Sequence, residues 1–524
     1  MGTDRVELYD TTLRDGAQSE GISFSVADKL KICSKLDGLG VQFIEGGWPG
    51  ANPKDLEFFR KAKSLKLRNS NIVAFGSTRY AKSRAASDKV LKGLLSAGTK
   101  YITIFGKSWD MHVKDVFRVD LEENIRMISD SIKFLKSKGK TVFYDAEHFF
   151  DGYKSNKEYA LKTLRAAQDA GAARIILCDT NGGTVTSQVF EIVEEVKEQI
   201  NVPLGIHAHN DTDMAVANSI AAIQAGCVQV HGTINGYGER CGNANLVSIA
   251  ANLKLKLGID CVSDFAIREL TEVARFVAEI CNMKLEDNQP FVGNSAFAHK
   301  AGVHVNAILK NPKTYEHIDP AKVGNHRRLL ISELSGKSTI MKKVRDLNLD
   351  LGQGTGKSKA ILKVLQELEN RGYHFEAAEA SLELLIKRVM KTFRDFFKLE
   401  NFRIIMEKSK DGKMTSEATI KLAVGKELEH TACLGDGPVN ALDSALRKAL
   451  RKFYPRLEEM HLTDYKVRVL DEKQGTAARV RVLIQSQDKN DSWWTIGVSE
   501  NIIEASWFAL VDSVEYKLLK DSKK

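Results

Sequence analysis

Short apolar runs alternate with longer amphipathic segments along the first half of the chain. The runs predict strands at residues 6–13, 41–48, 72–75, 101–106, 141–147, 174–179, 203–209 and 228–233. Between them, apolar residues recur with helical spacing, as in residues 25–36, 124–134 and 187–200. Glycines follow several of these segments, where left-handed helix caps are expected: Gly40, Gly98, Gly139, Gly171 and Gly226.

Eight strand–helix units in about 260 residues predict an α/β fold, a (β/α)8 TIM barrel over residues 1–262. The strands are nearly continuous apolar runs, as expected of parallel strands that are covered on both faces. A doubly wound open sheet is the alternative. It is less consistent with the sequence because no GxGxxG motif follows the first strand.

The second half of the chain has a different pattern. Residues 263–371 predict a mostly helical linker subdomain. Beyond it, strands are expected at 401–407, 417–424 and 428–434 before a helix at 438–450, and again at 465–470, 479–487 and 493–498 before a helix at 501–518. Three strands and a helix, found twice, indicate an internal duplication. Pattern alone therefore predicts an α+β accessory domain at residues 372–524.

Composition narrows the classes of function. The chain of 524 residues is 43% hydrophobic and 28% charged, as in soluble globular proteins. Its net charge is +9, but the lysines and arginines are spread along the chain and interleaved with acidic residues. This pattern argues against a nucleic-acid partner and favours anionic small molecules. Seven cysteines without a CxxC pair indicate reduced thiols. No signal peptide or bilayer-spanning stretch is recognisable, so we expect a cytoplasmic protein without a membrane partner.

Polar residues lie where several predicted barrel strands end. Arg14 and Asp15 follow the first strand and precede a glycine, which is typical of a sharp turn. His207 and His209 are two apart on the seventh strand, so their imidazoles should share a face. Asn243 follows the eighth strand, which barrel closure places between strands 7 and 1. These side chains can converge, and two histidines with a carboxylate suit a divalent cation.

Other rim residues have simpler interpretations. On its own, the Arg14–Asp15 pair would be read as a surface salt bridge. Glu239 and Arg240 are expected to form a structural ion pair, and Asp211 to cap a helix N-terminus.

Three motifs carry a family resemblance: LYDTTLRDGAQ at residues 8–18, HAHND at 207–211 and GERCGNA at 238–244. The sequence resembles the metal-dependent acyltransferase and lyase barrels, which include isopropylmalate, homocitrate and citramalate synthases and hydroxymethylglutaryl-CoA lyases. The resemblance implies that Arg14 contacts a keto oxygen. It also implies the protein ligands of a divalent metal (Mg, Mn, Co or Zn): Asp15, His207, His209 and Asn243.

The second half resembles the synthases rather than the lyases. The segment around His304 and Tyr315 is similar to a subdomain in which a histidine and a tyrosine reach over the active site of the partner subunit. Residues 435–441 and 497–506 resemble the amino-acid-sensing domain of the synthases, which the lyases lack. The resemblance therefore implies a regulatory C-terminal domain and a homodimer.

The reaction implied by the resemblance is a Claisen-type condensation of acetyl-CoA with a 2-keto acid, followed by thioester hydrolysis. Thr180 would bind the substrate carboxylate, and Arg14 would stabilise the alkoxide. The base that deprotonates acetyl-CoA is left open between Glu147 and the pair His304–Tyr315. We expect His304 to help activate the water that cleaves the thioester.

The segments 46–55 and 107–113 resemble the pocket walls of citramalate synthases more than those of isopropylmalate synthases. This favours pyruvate as substrate, a place in isoleucine biosynthesis and isoleucine as feedback inhibitor. The alternatives are a 2-isopropylmalate synthase that uses 2-ketoisovalerate, a C–C lyase acting on an acyl-CoA, and a catalytically silent amino-acid sensor.

Overall fold

The computed structural model of the protein describes residues 5–300, 302–329, 355–470, 478–489 and 491–522. The chain divides into two compact units, residues 1–297 with 317–327 and residues 298–316 with 328–524. Part of the predicted linker subdomain, residues 330–354, lies outside the described residues.

The first unit is a closed barrel of eight parallel strands in sequence order. Closure comes from the first strand, whose Tyr9 pairs with Phe43 on one side and His231 on the other. The predicted TIM barrel is therefore confirmed. Its strands are β1 Glu7–Asp10, β2 Phe43–Gly47, β3 Asn71–Ser77, β4 Tyr101–Lys107, β5 Thr141–Glu147, β6 Arg174–Asp179, β7 Leu204–Ala208 and β8 Gln229–Gly232.

Helices cover the outside of the barrel and pack on a large apolar core. They are α1 Val26–Leu39, α2 Pro53–Ala62, α3 Lys89–Ser96, α4 Leu121–Ser137, α5 Phe149–Ser155, α6 Lys157–Ala170, α7 Thr186–Gln199, α8 Ala215–Ala225, α9 Leu246–Asn252 and α10 Leu270–Ile280. The predicted cap glycines all have positive φ, from 72° at Gly98 to 118° at Gly226. Only glycine adopts this conformation without strain, so each can end a helix sharply.

The barrel interior is filled by side chains towards the amino ends of the strands and is open at their carboxyl ends. Tyr9, Phe43, Val73 and Phe143 form a buried cluster in the lumen together with Ile176 and Cys178. Because side chains alternate along a strand, the next inward positions lie one layer higher. Those positions, Glu45 on β2 and Asp145 on β5, are polar and buried. The lumen is thus apolar at its floor and charged towards the carboxyl ends of the strands.

The second unit combines helices with two small antiparallel sheets. Short strands β9 Ala298–His299 and β10 Arg328–Leu329 pair in parallel. The remaining elements are α11 Gly302–Lys310, α12 Thr355–Asn370, α13 Glu379–Val389, β11 Lys398–Lys408, β12 Met414–Val424, β13 Glu427–Gly435, α14 Pro438–Arg451, β14 His461–Val469, β15 Val480–Gln487, β16 Ser492–Ser499 and α15 Ile502–Ser522.

Each sheet of the second unit has its three strands in sequence order and is followed by one long helix. Helices α14 and α15 bury their apolar faces in one core with both sheets. The predicted duplication of a βββα unit is therefore confirmed. In the part of the chain that the structure describes, no helix has the length and apolarity needed to cross a bilayer.

Candidate metal and substrate site

The turn after β1 presents the first two site residues. The predicted strand extends to residue 13, but the observed strand ends at Asp10. The carbonyl of Thr11 then accepts hydrogen bonds from the backbone N–H groups of Arg14, Asp15 and Gly16 at 3.1, 2.8 and 3.1 Å. Gly16 does not have positive φ, so the turn does not depend on a left-handed glycine. Three hydrogen bonds to one carbonyl oxygen stabilise the turn instead.

Asp15, His207 and His209 meet at this rim. Asp15 Oδ2 lies 3.3 Å from His207 Nε2, which in turn lies 3.3 Å from His209 Nε2. All three side chains are buried, and one potential ligand atom of each lies within 4.8 Å of the others. The structure therefore brings together the three residues that the sequence expected to converge.

Electrostatics keep this cluster in a form that suits a cation. Burial alone would raise the pKa of Asp15, but the Arg14 guanidinium and the two imidazoles hold it well below its usual range. Burial, reinforced by His207, lowers the pKa of His209 to about 3. Asp15 is therefore an anion and His209 is neutral, with a lone pair on one ring nitrogen.

Asn243 is placed beside His209 by backbone pairing. The two residues form an isolated antiparallel bridge. Asn243 is buried, and its Oδ1 has no hydrogen-bond partner. A Cβ at position 238 would collide with the Asn243 amide nitrogen, so Gly238 makes room for this side chain. An unpaired buried carbonyl oxygen is a suitable hard ligand for a divalent cation.

This donor set fits a divalent metal. It offers a carboxylate, two imidazole nitrogens and an amide oxygen, which leave coordination positions for substrate oxygens. Metal binding by these residues remains a prediction.

Arg14 is held on several sides. Its Nε donates to Glu45 Oε1 at 2.5 Å, and its Nη1 lies 3.4 Å from Asp15 Oδ2. The guanidinium lies over the ring of Phe75, 3.8 Å from the centroid. Burial opposes the charge, but Asp15 and Glu45 outweigh it and raise the pKa, so Arg14 stays cationic.

These groups line a cavity of about 250 Å³ at the open end of the barrel. Trp48, Phe75 and Phe105 form one wall, with ring centroids 5.5 to 6.1 Å apart. Asp145 and Glu147, which are two apart on β5, also face the cavity. Glu147 pairs with Lys107. The site combines an aromatic wall with several ionised groups in a small volume.

Thr180 lines the same cavity and has a defined hydrogen-bond direction. Its hydroxyl oxygen accepts the backbone N–H of His148 at 2.8 Å. His148 has φ of 56°, a left-handed conformation, and its N–H reaches Thr180, the residue after β6. Because the Thr180 oxygen is already an acceptor, its own proton is free to be donated into the cavity.

Arg240 lies at the rim of the cavity beside Asp211, and the prediction that Asp211 caps a helix was wrong. Its guanidinium binds both carboxylate oxygens of Asp211 at 2.7 and 2.9 Å and the carbonyl of Thr180 at 2.8 Å. Glu239 lies 3.6 Å away, so the predicted ion pair is present but is the longer of the two. Asp211 caps no helix, since α8 begins four residues later without a side-chain cap.

Sequence reasoning missed Glu45, Asp145, Phe75 and Phe105, whereas Trp48 lies in the segment 46–55 that was expected to form a pocket wall. Glu45 and Asp145 lie inside strands, where no motif marks them, and only the inward alternation along β2 and β5 could have found them. Burial, followed by repulsion from Glu45, raises the pKa of Asp145 to about 7. One oxygen of Asp145 has no hydrogen-bond partner.

His304 and Tyr315 belong to the second unit. Their rings stack with centroids 4.1 Å apart and an interplanar angle of 29°. Both side chains are exposed. The two residues that were predicted to act together are therefore neighbours, and their role in catalysis remains a prediction.

Comparison with known proteins matches three families in succession. The family HMGL-like matches residues 5–277, the homocitrate synthase post-HMGL domain-like family matches 291–372, and the LeuA allosteric (dimerisation) domain matches 376–518. Among solved structures, the HMG-CoA lyase of Bacillus subtilis covers 54% of this chain and 96% of its own, with 18% identity and a TM-score of 0.47.

Full-length relatives are more informative. An (R)-citramalate synthase of Geobacter sulfurreducens is 57% identical over 99% of this chain and 98% of its own. One of Aquifex aeolicus is 54% identical over 99% of both chains. A 2-isopropylmalate synthase of Methanocaldococcus jannaschii is 31% identical over 99% of this chain and 96% of its own.

Fold, site and domain order define a condensing enzyme of the acyltransferase type, built on an HMGL-like barrel. The chain belongs to the citramalate synthase family. The resemblance found in the sequence motifs is therefore confirmed.

Proposed function

We propose that this protein condenses acetyl-CoA with pyruvate and hydrolyses the thioester, giving citramalate and CoA. The observation that carries the proposal is the convergence of Asp15, His207 and His209 beside Arg14 and Thr180 on one small cavity. The (R)-citramalate synthases that match the whole chain support the choice of reaction. In this proposal residues 1–262 carry the chemistry, 263–371 complete the site and 372–524 bind an effector, in a cytoplasmic enzyme.

Asp15, His207, His209 and Asn243 would hold a divalent cation, one of Mg, Mn, Co or Zn. When bound, such a cation supplies Lewis-acid polarisation to a keto oxygen. The anionic Asp15 and the neutral His209 are in the protonation states that metal binding requires.

Arg14 and Thr180 would bind and orient the keto acid. Glu45 occupies the Nε of Arg14 and Asp15 lies 3.4 Å from its Nη1, so Nη2 is left for the oxygen on which negative charge develops. The Thr180 proton is directed to the substrate carboxylate, because the backbone N–H of His148 already fills one lone pair of its oxygen. Two donors at fixed positions would hold the keto carbon for attack by the acetyl enolate.

Removal of a proton from the acetyl methyl group requires a base. Glu147 lines the cavity at the end of β5 and is one candidate. The stacked pair His304–Tyr315 is the other. We propose that His304 also activates the water that hydrolyses the thioester.

The cavity favours a small keto acid. Trp48, Phe75 and Phe105 pack edge to face or stacked, and this leaves about 250 Å³ for all reacting groups. Apolar walls discriminate between acids by only about 1–3 kcal/mol per methylene, so a direct assay must decide.

The test is to supply acetyl-CoA with pyruvate, 2-ketoisovalerate or 2-ketoglutarate in turn and to follow release of the CoA thiol. We expect the highest kcat/KM with pyruvate. In a separate reaction that supplies citramalyl-CoA alone, we expect no release of acetyl-CoA, which a lyase would give. A preference for 2-ketoisovalerate would identify a 2-isopropylmalate synthase. Absence of thiol release with every acid would leave the lyase and the silent sensor, and only the lyase would cleave citramalyl-CoA.

We further propose that isoleucine inhibits the enzyme through the duplicated βββα domain and that the enzyme is a homodimer. The match to a LeuA allosteric (dimerisation) domain supports both. Removal of the residues after 371 should abolish inhibition by isoleucine. Inhibition by leucine alone would contradict the proposed pathway.

A further inference from the structure

A chain of hydrogen bonds below the cavity ends on Arg14. Thr103 on β4 bonds to the Tyr9 hydroxyl at 2.8 Å, Tyr9 on β1 donates to Glu45 Oε2 at 2.6 Å, and Glu45 on β2 accepts Arg14 Nε at 2.5 Å. We propose that Tyr9 is a positioning residue for catalysis, which fixes Glu45 and through it the guanidinium of Arg14. This inference rests on the role of Arg14 in the proposed function.

Glu45 fixes the position of the Arg14 guanidinium because both carboxylate oxygens of Glu45 already accept a hydrogen bond. Oε1 receives the Arg14 Nε–H and Oε2 receives the Tyr9 O–H. The residue is fully buried, so water cannot replace either donor. Without the Tyr9 hydroxyl, Oε2 would be an unsatisfied buried acceptor. The nearest remedy is a rotation of the carboxylate towards the Nη groups of Arg14, which would turn the guanidinium away from the cavity.

Tyr9 itself is rigidly held. It is fully buried, and its ring lies parallel to that of His231, with centroids 3.8 Å apart and an angle of 9°. Since Tyr9 donates to Glu45, the Thr103 hydroxyl must donate to the Tyr9 oxygen. Successive donors in such a chain polarise one another and strengthen each bond. Burial also raises the pKa of Tyr9, so the hydroxyl stays a donor.

The geometry gives this chain a positioning role rather than contact with the reacting atoms. Arg14 lines the cavity, whereas Tyr9, Glu45 and Thr103 are not among the described residues that do. The three lie on strands β1, β2 and β4, so the bonds tie two neighbouring strands and a third, non-adjacent one to one side chain. Rigid strands hold a catalytic group more accurately than a loop does. Arg14, on the turn after β1, gains this accuracy through Glu45.

The first test is Tyr9→Phe, which removes the hydroxyl and keeps the ring that stacks on His231. We expect kcat to fall about tenfold while KM for pyruvate changes less than about twofold, because Arg14 acts on charge that develops in the transition state. The matched control is Tyr153→Phe, which removes a hydroxyl bonded to Glu195 on the outer helices. It should keep wild-type kcat.

The second test is a double-mutant cycle of Tyr9→Phe with Arg14→Lys. If Tyr9 acts through Arg14, Tyr9→Phe lowers kcat about tenfold in the wild-type background and less than about twofold in the Arg14→Lys background. If the two losses multiply, Tyr9 acts by another route and the inference is wrong. Unchanged kcat in Tyr9→Phe would also overturn it. Should Tyr9→Phe fail to fold, Thr103→Val removes the preceding donor and takes its place in the same cycle.

The cycle separates this inference from the proposed function. If the wild-type enzyme prefers another keto acid, the proposed substrate is wrong, and the cycle is measured with that acid. If Arg14→Lys is impaired but the losses multiply, only the positioning role fails. If Arg14→Lys is as active as the wild type, the role of Arg14 and the inference both fail.

Discussion

Buried ionisable side chains have different surroundings in the two units of this protein. At the barrel rim, Asp15, Asp145, His207 and His209 face a common cavity, and several of their polar atoms have no protein partner. In the second unit, Lys517 is buried among three carboxylates: Asp488 at 3.0 Å, Asp521 at 3.1 Å and Glu459 at 3.4 Å.

A second cluster of the C-terminal domain follows the same rule. Arg388 on α13 pairs with Asp512 at 2.9 Å and with Glu515, both on α15. Charges that pair with one another tie helices together. Charged groups that face an open cavity leave hydrogen-bonding and metal-coordinating atoms available to a ligand. That arrangement reduces the stability of the protein. The comparison therefore distinguishes the barrel rim, where polar groups face a cavity, from two clusters of the second unit, where charges pair mainly with one another.

The strongest test of the comparison is Asp15→Asn. We expect loss of the bound divalent metal, measured by plasma mass spectrometry, and a fall in kcat/KM of about a thousandfold or more, because an anionic ligand is replaced by a neutral one. Asp88→Asn is the control, since Asp88 is equally buried but accepts only backbone N–H groups near α3. Full metal content in Asp15→Asn would exclude this residue as a ligand.

Lys517→Met tests the opposite side of the comparison. Three carboxylates would lose their buried cation, so the opening free energy of α15 should fall by about 3 kcal/mol. Hydrogen exchange of the amides of Ile502–Ser522 measures this. The value of kcat without effector should stay within about twofold. A large loss of kcat with unchanged exchange would mean that this cluster has a direct part in catalysis.

His304→Ala asks whether the second unit also supplies chemistry. We expect kcat to fall about 100-fold while KM for pyruvate changes little, because His304 is proposed to activate water rather than to bind the keto acid. Steady-state kinetics measure both, with His430→Ala, an exposed histidine on β13, as the control. Equal losses in kcat and in keto-acid affinity would contradict this role.

Asp10→Asn is expected to have the smallest effect, and it depends on pH. Burial raises the pKa of Asp10 from 3.8 to about 7, so folding favours the protonated carboxyl. This contribution to stability is fully present below the ordinary pKa and is lost as the pH rises through about 7. Between pH 5 and pH 7 the wild-type protein should lose about 2 kcal/mol more than Asp10→Asn in urea titrations. Parallel pH profiles would contradict a raised pKa.

The sequence was a good guide to the elements and to the side chains that converge at the barrel rim. Continuous apolar runs located all eight barrel strands, and His207 and His209 were correctly expected on one face because spacing along a strand fixes the side. The βββα duplication also followed from spacing alone. These features depend on local chemistry, which a single sequence displays directly.

What could not be predicted depends on distant parts of the chain. Asp211 was expected to cap a helix, but Arg240, almost 30 residues away, takes both of its oxygens. Glu45 and Asp145 were unmarked because an acid inside a strand gains meaning only when barrel closure shows what it faces. Pairings of this kind are set by tertiary structure, so propensity and spacing carry no signal for them.

The pairing of β1 with β8 closes the barrel and brings the two ends of the sheet together. Asp15 is made early in synthesis, whereas His207, His209 and Asn243 emerge only after most of the barrel, so no partial barrel owns a complete set of donors. A cation that needs all of them can be captured only once the last strand has docked against the first. Its binding would then stabilise the closed barrel against separation of β1 from β8.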